Sequence, residues 1–274
     1  MPAIKTRDGT SLYFKDWGIG RPVILIHGWP LNADSWDPIS YALSQAGHRV
    51  IAYDRRGFGR SDQPAAGYDY NTFSDDLADL MSRCNIEGNI ALVGFSMGGG
   101  EVARYMSRYA GKNIRSVALI SSVVPFMLRT PNNPNGVEQS TFDGMAEAII
   151  EDRPRFMRAF LKEFFGVGFL SSPVSDDMLE ASWQMCMQAG LLPTLRAAKA
   201  FSTTDFRPDL AAINVPALIV HGSSDTTVPI DATGRAAAKD IAGAGLVEYE
   251  GSPHGIFATD TQRLISDLTE WLDR

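Results

Sequence analysis

The sequence is poor in the residues that point to metal, disulfide or polyanion chemistry. Of its 274 residues only two are cysteine, Cys84 and Cys186, and four are histidine. Two cysteines make at most one bridge and no Cys-rich zinc site, so a reducing compartment is the expectation and no bridge is assumed. Basic residues are in the minority: 25 Lys and Arg against 32 Asp and Glu leave a formal charge of −7. That balance repels nucleic acid and anionic lipid rather than recruiting them. Long apolar runs are missing too. Val23–Ile26 and Val117–Ile120 are strand-length, far short of the roughly 20 residues of a membrane helix. Met1–Gly9 carries Lys5, Arg7 and Asp8 with no apolar run behind them, so no export signal is read and a soluble, cytoplasmic protein is expected. What is plentiful is apolar residue, 45% of the chain against 21% charged, enough for a sizeable core at this length.

The apolar residues fall into short runs bounded by turn signals. Ala3–Arg7 and Ser11–Lys15 flank Asp8-Gly9, which suits a hairpin. Val23–His27, Val50–Asp54, Ile90–Gly94, Val117–Ser121, Ala217–His221 and Leu246–Glu250 are continuous in apolar or β-branched residues, as strands covered on both faces are. Helical patterns alternate with them. Phe73, Leu77, Leu80 and Cys84 share one face behind an Asn71 or Thr72 cap, and Leu264, Leu268 and Trp271 share another behind Thr259-x-x-Gln262, the spacing of a capping box. The alternation predicts an α/β fold with a mostly parallel, doubly covered sheet of eight strands. It breaks once, after about Pro125, where a loop rich in Pro and Asn (Arg129–Gly136) leads into segments rich in Phe and Met. The expected organisation is a core over 1–124 and 214–274 interrupted by a helical insertion over 125–213. Phe156, Phe160 and Phe164 recur every fourth residue there; such a stripe packs either in the insertion's own core or over a pocket beneath it.

Gly94-Phe95-Ser96-Met97-Gly98 is a G-x-S-x-G motif at the end of a strand and the start of a helix. A serine there sits on a tight turn that exposes its oxygen at the helix N-terminus, and the flanking glycines are small because the backbone folds back on itself. Ser96 is therefore the candidate nucleophile. Of the four histidines, His48 belongs to the opposite end of the sheet, while His27 and His221 end strands and read as loop-bracing groups. His254, in Gly251-Ser-Pro-His-Gly255 after the last strand, is placed to act as base. Asp225 is the carboxylate that follows a strand between Ser96 and His254, since Ile120-Ser121-Ser122 offers none and Asp231 lies beyond Pro229. Oxyanion donors are expected from the backbone N–H groups of Met97 and Trp29; Pro30 has none to give. Pro30, Phe126, Phe142, Phe160, Phe164 and Val228 are the expected pocket residues.

His27-Gly-Trp-Pro-Leu31, Tyr53–Asp62, Gly94–Tyr105 and Gly251–His254 together resemble the serine α/β-hydrolase superfamily over nearly the whole chain, and within it the cofactor-free bacterial haloperoxidase, aryl esterase and perhydrolase group. The resemblance implies hydrolysis of small esters, reversible perhydrolysis of carboxylic acids with hydrogen peroxide, no haem or metal, and a homo-oligomer. It also implies that a Pro beside the oxyanion-hole Trp, matched here by Pro30, favours peroxide by shifting the neighbouring carbonyl into the site. Dehalogenases and epoxide hydrolases use Asp where this chain has Ser96. A lactonase, lactamase or C–C bond hydrolase would use the same three residues, and a non-catalytic receptor on this fold would not need them. Dinucleotide-binding G-x-G-x-x-G and P-loop signatures are absent.

Overall fold

The computed structural model describes residues 1–169 and 171–274. Its eight strands are β1 (Ala3–Lys5), β2 (Ser11–Trp17), β3 (Arg21–Ile26), β4 (His48–Tyr53), β5 (Ile90–Phe95), β6 (Ile114–Ile120), β7 (Ala217–Gly222) and β8 (Gly245–Tyr249). They form one sheet in the order β1-β2-β4-β3-β5-β6-β7-β8. β1 and β2 are an antiparallel hairpin, β2 pairs antiparallel with β4, and β3 to β8 run parallel to one another. Every residue of β5 and β7 is buried, as expected of central strands with layers on both faces. β7 runs one residue further than its apolar run suggested, to Gly222.

The helices are α1 (Asp37–Gln45), α2 (Tyr70–Arg83), α3 (Met97–Arg108), α4 (Gln139–Phe164), α5 (Asp176–Gln188), α6 (Leu191–Thr203), α7 (Arg207–Leu210), α8 (Gly234–Asp240), α9 (Ile256–Thr259) and α10 (Thr261–Asp273). α2 buries Phe73, Leu77 and Leu80 on one face. Its cap is Asp69, not Asn71 or Thr72. The Asp69 carboxylate accepts the Asn71 and Thr72 N–H groups at 3.0 Å each, and an acceptor must precede the orphan amides it serves. α10 buries Leu264, Leu268 and Leu272, with Trp271 half-buried beside them. The expected capping box does not form, because Thr259 already closes the short helix α9. Its hydroxyl donates to the Asp260 carboxylate at 2.7 Å, and the same side chain accepts the Ser252 hydroxyl at 3.0 Å. Asp260 thus braces the loop that carries His254.

Between β6 and β7 lie α4 to α7. α4 is two helical pieces joined at Asp152 (φ −152°, ψ 82°), two residues before Pro154, where a missing N–H and the proline ring interrupt the ladder. α5 and α6 pack on it. This layer is tied to the sheet loops by Trp29, whose indole N–H donates to Thr194 O at 3.0 Å, and by Asn32, whose amide donates to Gln188 Oε1 at 2.9 Å. No described helix is long and apolar enough to cross a membrane.

Candidate active site

β5 runs directly into α3 through Ser96, whose φ of 53° and ψ of −118° put a non-glycine residue in an unfavourable region. The surrounding glycines make that possible. A Cβ on Gly94 would lie 2.5 Å from Gly98 O, and one on Gly98 would lie 2.4 Å from Ile26 O. The backbone crossing that lifts Ser96 therefore has no room for side chains at either position.

Loops after β7 and β8 bring the other two residues to it. His254 Nε2 lies 2.9 Å from Ser96 Oγ, and His254 Nδ1 lies 2.6 Å from Asp225 Oδ2. His254 is buried, with its ring between Phe95 and Phe164 (centroids 5.1 and 4.8 Å away). The carboxylate is held by four groups. Its Oδ1 accepts the Thr227 and Val228 N–H groups at 3.0 and 2.7 Å, and its Oδ2 faces both His254 and His221 Nε2, the latter at 3.1 Å. Burial pushes the Asp225 carboxyl up, but the two imidazoles outweigh it and hold it at about 2. Asp225 is thus an anion at any working pH, able to fix the proton on His254 Nδ1 and stabilise an imidazolium.

His221 does more than brace a loop. Its Nε2 reaches Val228 O at 2.9 Å as well as the Asp225 oxygen. Gly234 permits this placement, since a Cβ there would lie 2.7 Å from His221 Nδ1. Strand-end position alone carried no sign of it; a His four residues ahead of the candidate Asp is the only local signal.

The candidate oxyanion donors come from two elements. Met97 is the first residue of α3, so its N–H has no intrahelical acceptor. Trp29 lies in the loop after β3, where its peptide bond to Pro30 is cis and Leu31 N–H donates to Gly28 O at 3.1 Å. Beneath both sits a fully buried ionic cluster. Arg55 Nε donates to Glu101 Oε2 at 2.8 Å and Arg55 Nη2 to His27 O at 2.9 Å, while Tyr53 OH donates to the other Glu101 oxygen. The Arg55 N–H also donates to His27 Nε2 at 3.0 Å. One guanidinium therefore joins the Trp29 loop to the helix that carries Met97. Burial pushes the Glu101 carboxyl up and the Arg55 guanidinium down to about 10, so each charge depends on the other.

Burial, reinforced by the Arg55 charge, holds the His27 imidazole well below its ordinary 6.5. The unfolded chain takes up a proton near that value and the folded chain does not, so the contribution is complete above it and declines as pH falls. Denaturant titrations at pH 7.5 and 5.5 check this: the wild type is expected to lose about 1.4 kcal/mol more over that interval than His27→Gln.

Ser96 and His254 open into a cavity of about 300 Å³ under α4. Of the candidate pocket residues, Phe142, Phe160 and Val228 line it, together with Trp29, Val123, Val137, Phe156 and Phe201. Three expected pocket residues do not. Phe164 is fully buried behind His254, because each i+4 step around an α-helix advances about 40°, turning it away from the Phe156 direction. Phe126 lies beyond the turn after β6, with the Arg207 guanidinium 5.1 Å over its ring, and Val123 takes the cavity position. Pro30 is buried beside Trp29, and it is Trp29 that reaches the cavity. Among the described residues no group of three or more His, Cys, Asp or Glu is arranged to hold a metal ion.

Comparison with known proteins gives a consistent result. A family model described as alpha/beta hydrolase fold matches residues 21–261. The chain is 42% identical to a non-heme chloroperoxidase of Kitasatospora aureofaciens, with 100% of both chains covered. It is 36% identical to a bifunctional esterase/perhydrolase of Acinetobacter calcoaceticus, with 99% of both covered. Among solved structures, a bromoperoxidase from Bacillus anthracis superposes with a TM-score of 0.95 at 39% identity, covering 100% of each chain.

Proposed function

Since the chain belongs to the alpha/beta hydrolase fold family, we propose that it is a serine hydrolase of small carboxylic esters that also transfers the acyl group to hydrogen peroxide. The observation that carries this reading is the chain of contacts Ser96 Oγ, His254 Nε2, His254 Nδ1 and Asp225 Oδ2 at the floor of an apolar cavity. The esterase/perhydrolase and non-heme chloroperoxidase relatives support it. His254 takes the Ser96 proton as Ser96 Oγ bonds to the ester carbonyl carbon, and the Trp29 and Met97 N–H groups receive the oxyanion. Collapse expels the alcohol, which leaves with the proton held by His254. Water or peroxide then gives a proton to His254 and bonds to the acyl carbon. Ser96 departs with that proton, and the product is a carboxylic acid or a peracid.

The helical segment 125–213 acts in this reading as an insertion that shapes the acyl and alcohol sites over a core made of 1–124 and 214–274. The free thiols of Cys84 and Cys186 favour a reducing, cytoplasmic setting.

The test is a competition of water and peroxide for one acyl-enzyme formed from p-nitrophenyl esters of increasing chain length. Peracid is expected to rise with peroxide while p-nitrophenol release stays tied to Ser96. Pro30→Leu separates the two acceptors: the ratio of perhydrolysis to hydrolysis is expected to fall severalfold, and an unchanged ratio would remove the peracid reading while leaving the esterase one.

A further inference from the structure

The charge of the substrate is a property on which the three reacting residues are silent, and the cavity walls speak to it. Five rings line the cavity in an unbroken series. Phe142 meets Phe201 with centroids 6.3 Å apart, Phe201 meets Trp29 at 5.6 Å, Trp29 meets Phe160 at 5.3 Å, and Phe160 stacks on Phe156 at 5.9 Å. Trp29 is fixed in that series by its hydrogen bond to Thr194 O. Among the described lining residues there is one carboxylate, Glu163 in the last turn of α4, and no Lys or Arg. The Thr226 hydroxyl donates to Glu163 Oε1 at 3.2 Å, which ties the carboxylate to the loop that carries Asp225.

Aromatic faces are negative and attract cations, most strongly where the cation is weakly hydrated and shielded from water. A carboxylate beside them adds a full negative charge, and the net charge of −7 has the same sign. An anionic group entering the cavity meets repulsion from Glu163, whereas a methylated ammonium has apolar surface for the rings and charge for the carboxylate.

We propose that the cavity selects esters bearing an ammonium or quaternary ammonium group over neutral esters of the same shape, with Glu163 reading the charge. This rests on the ester-hydrolase reading above. Two matched pairs test it by placing the charge on either side of the scissile bond. One is butyrylthiocholine with 3,3-dimethylbutyl thiobutyrate; the other is p-nitrophenyl 4-(trimethylammonio)butanoate with p-nitrophenyl 5,5-dimethylhexanoate. At low salt the cationic member of at least one pair is expected to show about tenfold higher kcat/KM. That preference is expected to shrink as salt is raised and to fall severalfold in Glu163→Gln. Turnover of the neutral esters with no preference in either pair, or a preference that Glu163→Gln leaves unmoved, overturns the assignment of charge selection while the hydrolase reading stands. Failure to turn over any of the four esters removes both.

Discussion

Ser96→Ala is expected to lower kcat/KM for p-nitrophenyl acetate by at least about 10⁴-fold while the protein stays folded. Ser96 is the group that bonds to carbon in the proposed reaction, and nothing else on the cavity floor can replace it. Phe95 and Phe164 flank His254, and among the described residues no second hydroxyl is hydrogen-bonded to the imidazole. The oxyanion donors and the cavity remain, which leaves the residual acceleration such sites show when the nucleophile is lost. Folding is spared because, among the described residues, the Ser96 side chain makes one hydrogen bond, the one to His254. Retention of most of the activity with an unchanged circular dichroism spectrum would place the nucleophile elsewhere.

Glu101→Ala is expected to have the largest effect on stability. The Glu101 and Arg55 side chains are both fully buried and lie 2.8 Å apart, so removing the carboxylate leaves an uncompensated guanidinium in the interior. Breaking such a pair costs about 3–5 kcal/mol, which for a chain of this size corresponds to a melting temperature lower by roughly 10 °C. The damage is not confined to stability. Arg55 also holds His27 O and N–H-bonds its ring, and Glu101 sits on the helix that begins at Met97. The two candidate oxyanion donors then lose their common anchor, and kcat is expected to fall more than KM rises. Replacing both partners by apolar residues, Arg55→Met with Glu101→Leu, is expected to recover much of the stability lost in the single variant, because it removes the buried charge as well as its partner. Calorimetry on the two proteins checks the pair; a Glu101→Ala melting temperature within about 2 °C of the wild type would contradict it.

The parts of this site that could be read from sequence are those fixed by local spacing and chain order. Gly94 and Gly98 bracket Ser96 because backbone crosses backbone at that turn: Gly94 meets Gly98 within the motif itself, and Gly98 meets Ile26 of the neighbouring β3. Asp225 and His254 were accessible because each lies in the loop after a strand whose apolar run is plain, and parallel strands deliver those loops to the same edge. What escaped depends on how side chains meet across elements. His221 reaches the Asp225 oxygen only because Gly234 leaves room for its ring. The Arg55–Glu101–Tyr53 cluster joins the end of β4 to α3, two segments far apart in the chain whose meeting no local spacing announces. Phe156, Phe160 and Phe164 look equivalent at every fourth position, yet helical drift gives the first two to the cavity and the third to the back of His254. The helix caps failed for a simpler reason: Asp69 stands ahead of Asn71 and Thr72 and accepts their N–H groups, and Thr259 ends α9, so it does not begin α10.

In the proposed reaction an acyl group passes through Ser96 on its way to water or peroxide. Rapid acid quench during turnover of p-nitrophenyl butanoate, followed by mass spectrometry of the intact chain and of its peptides, tests it directly. A transient adduct of one butanoyl group per chain is expected on the peptide containing Ser96, forming with the initial release of p-nitrophenol and decaying faster when peroxide is added. An adduct on another residue, or turnover with no adduct and no initial burst in conditions where deacylation is slow, would contradict it.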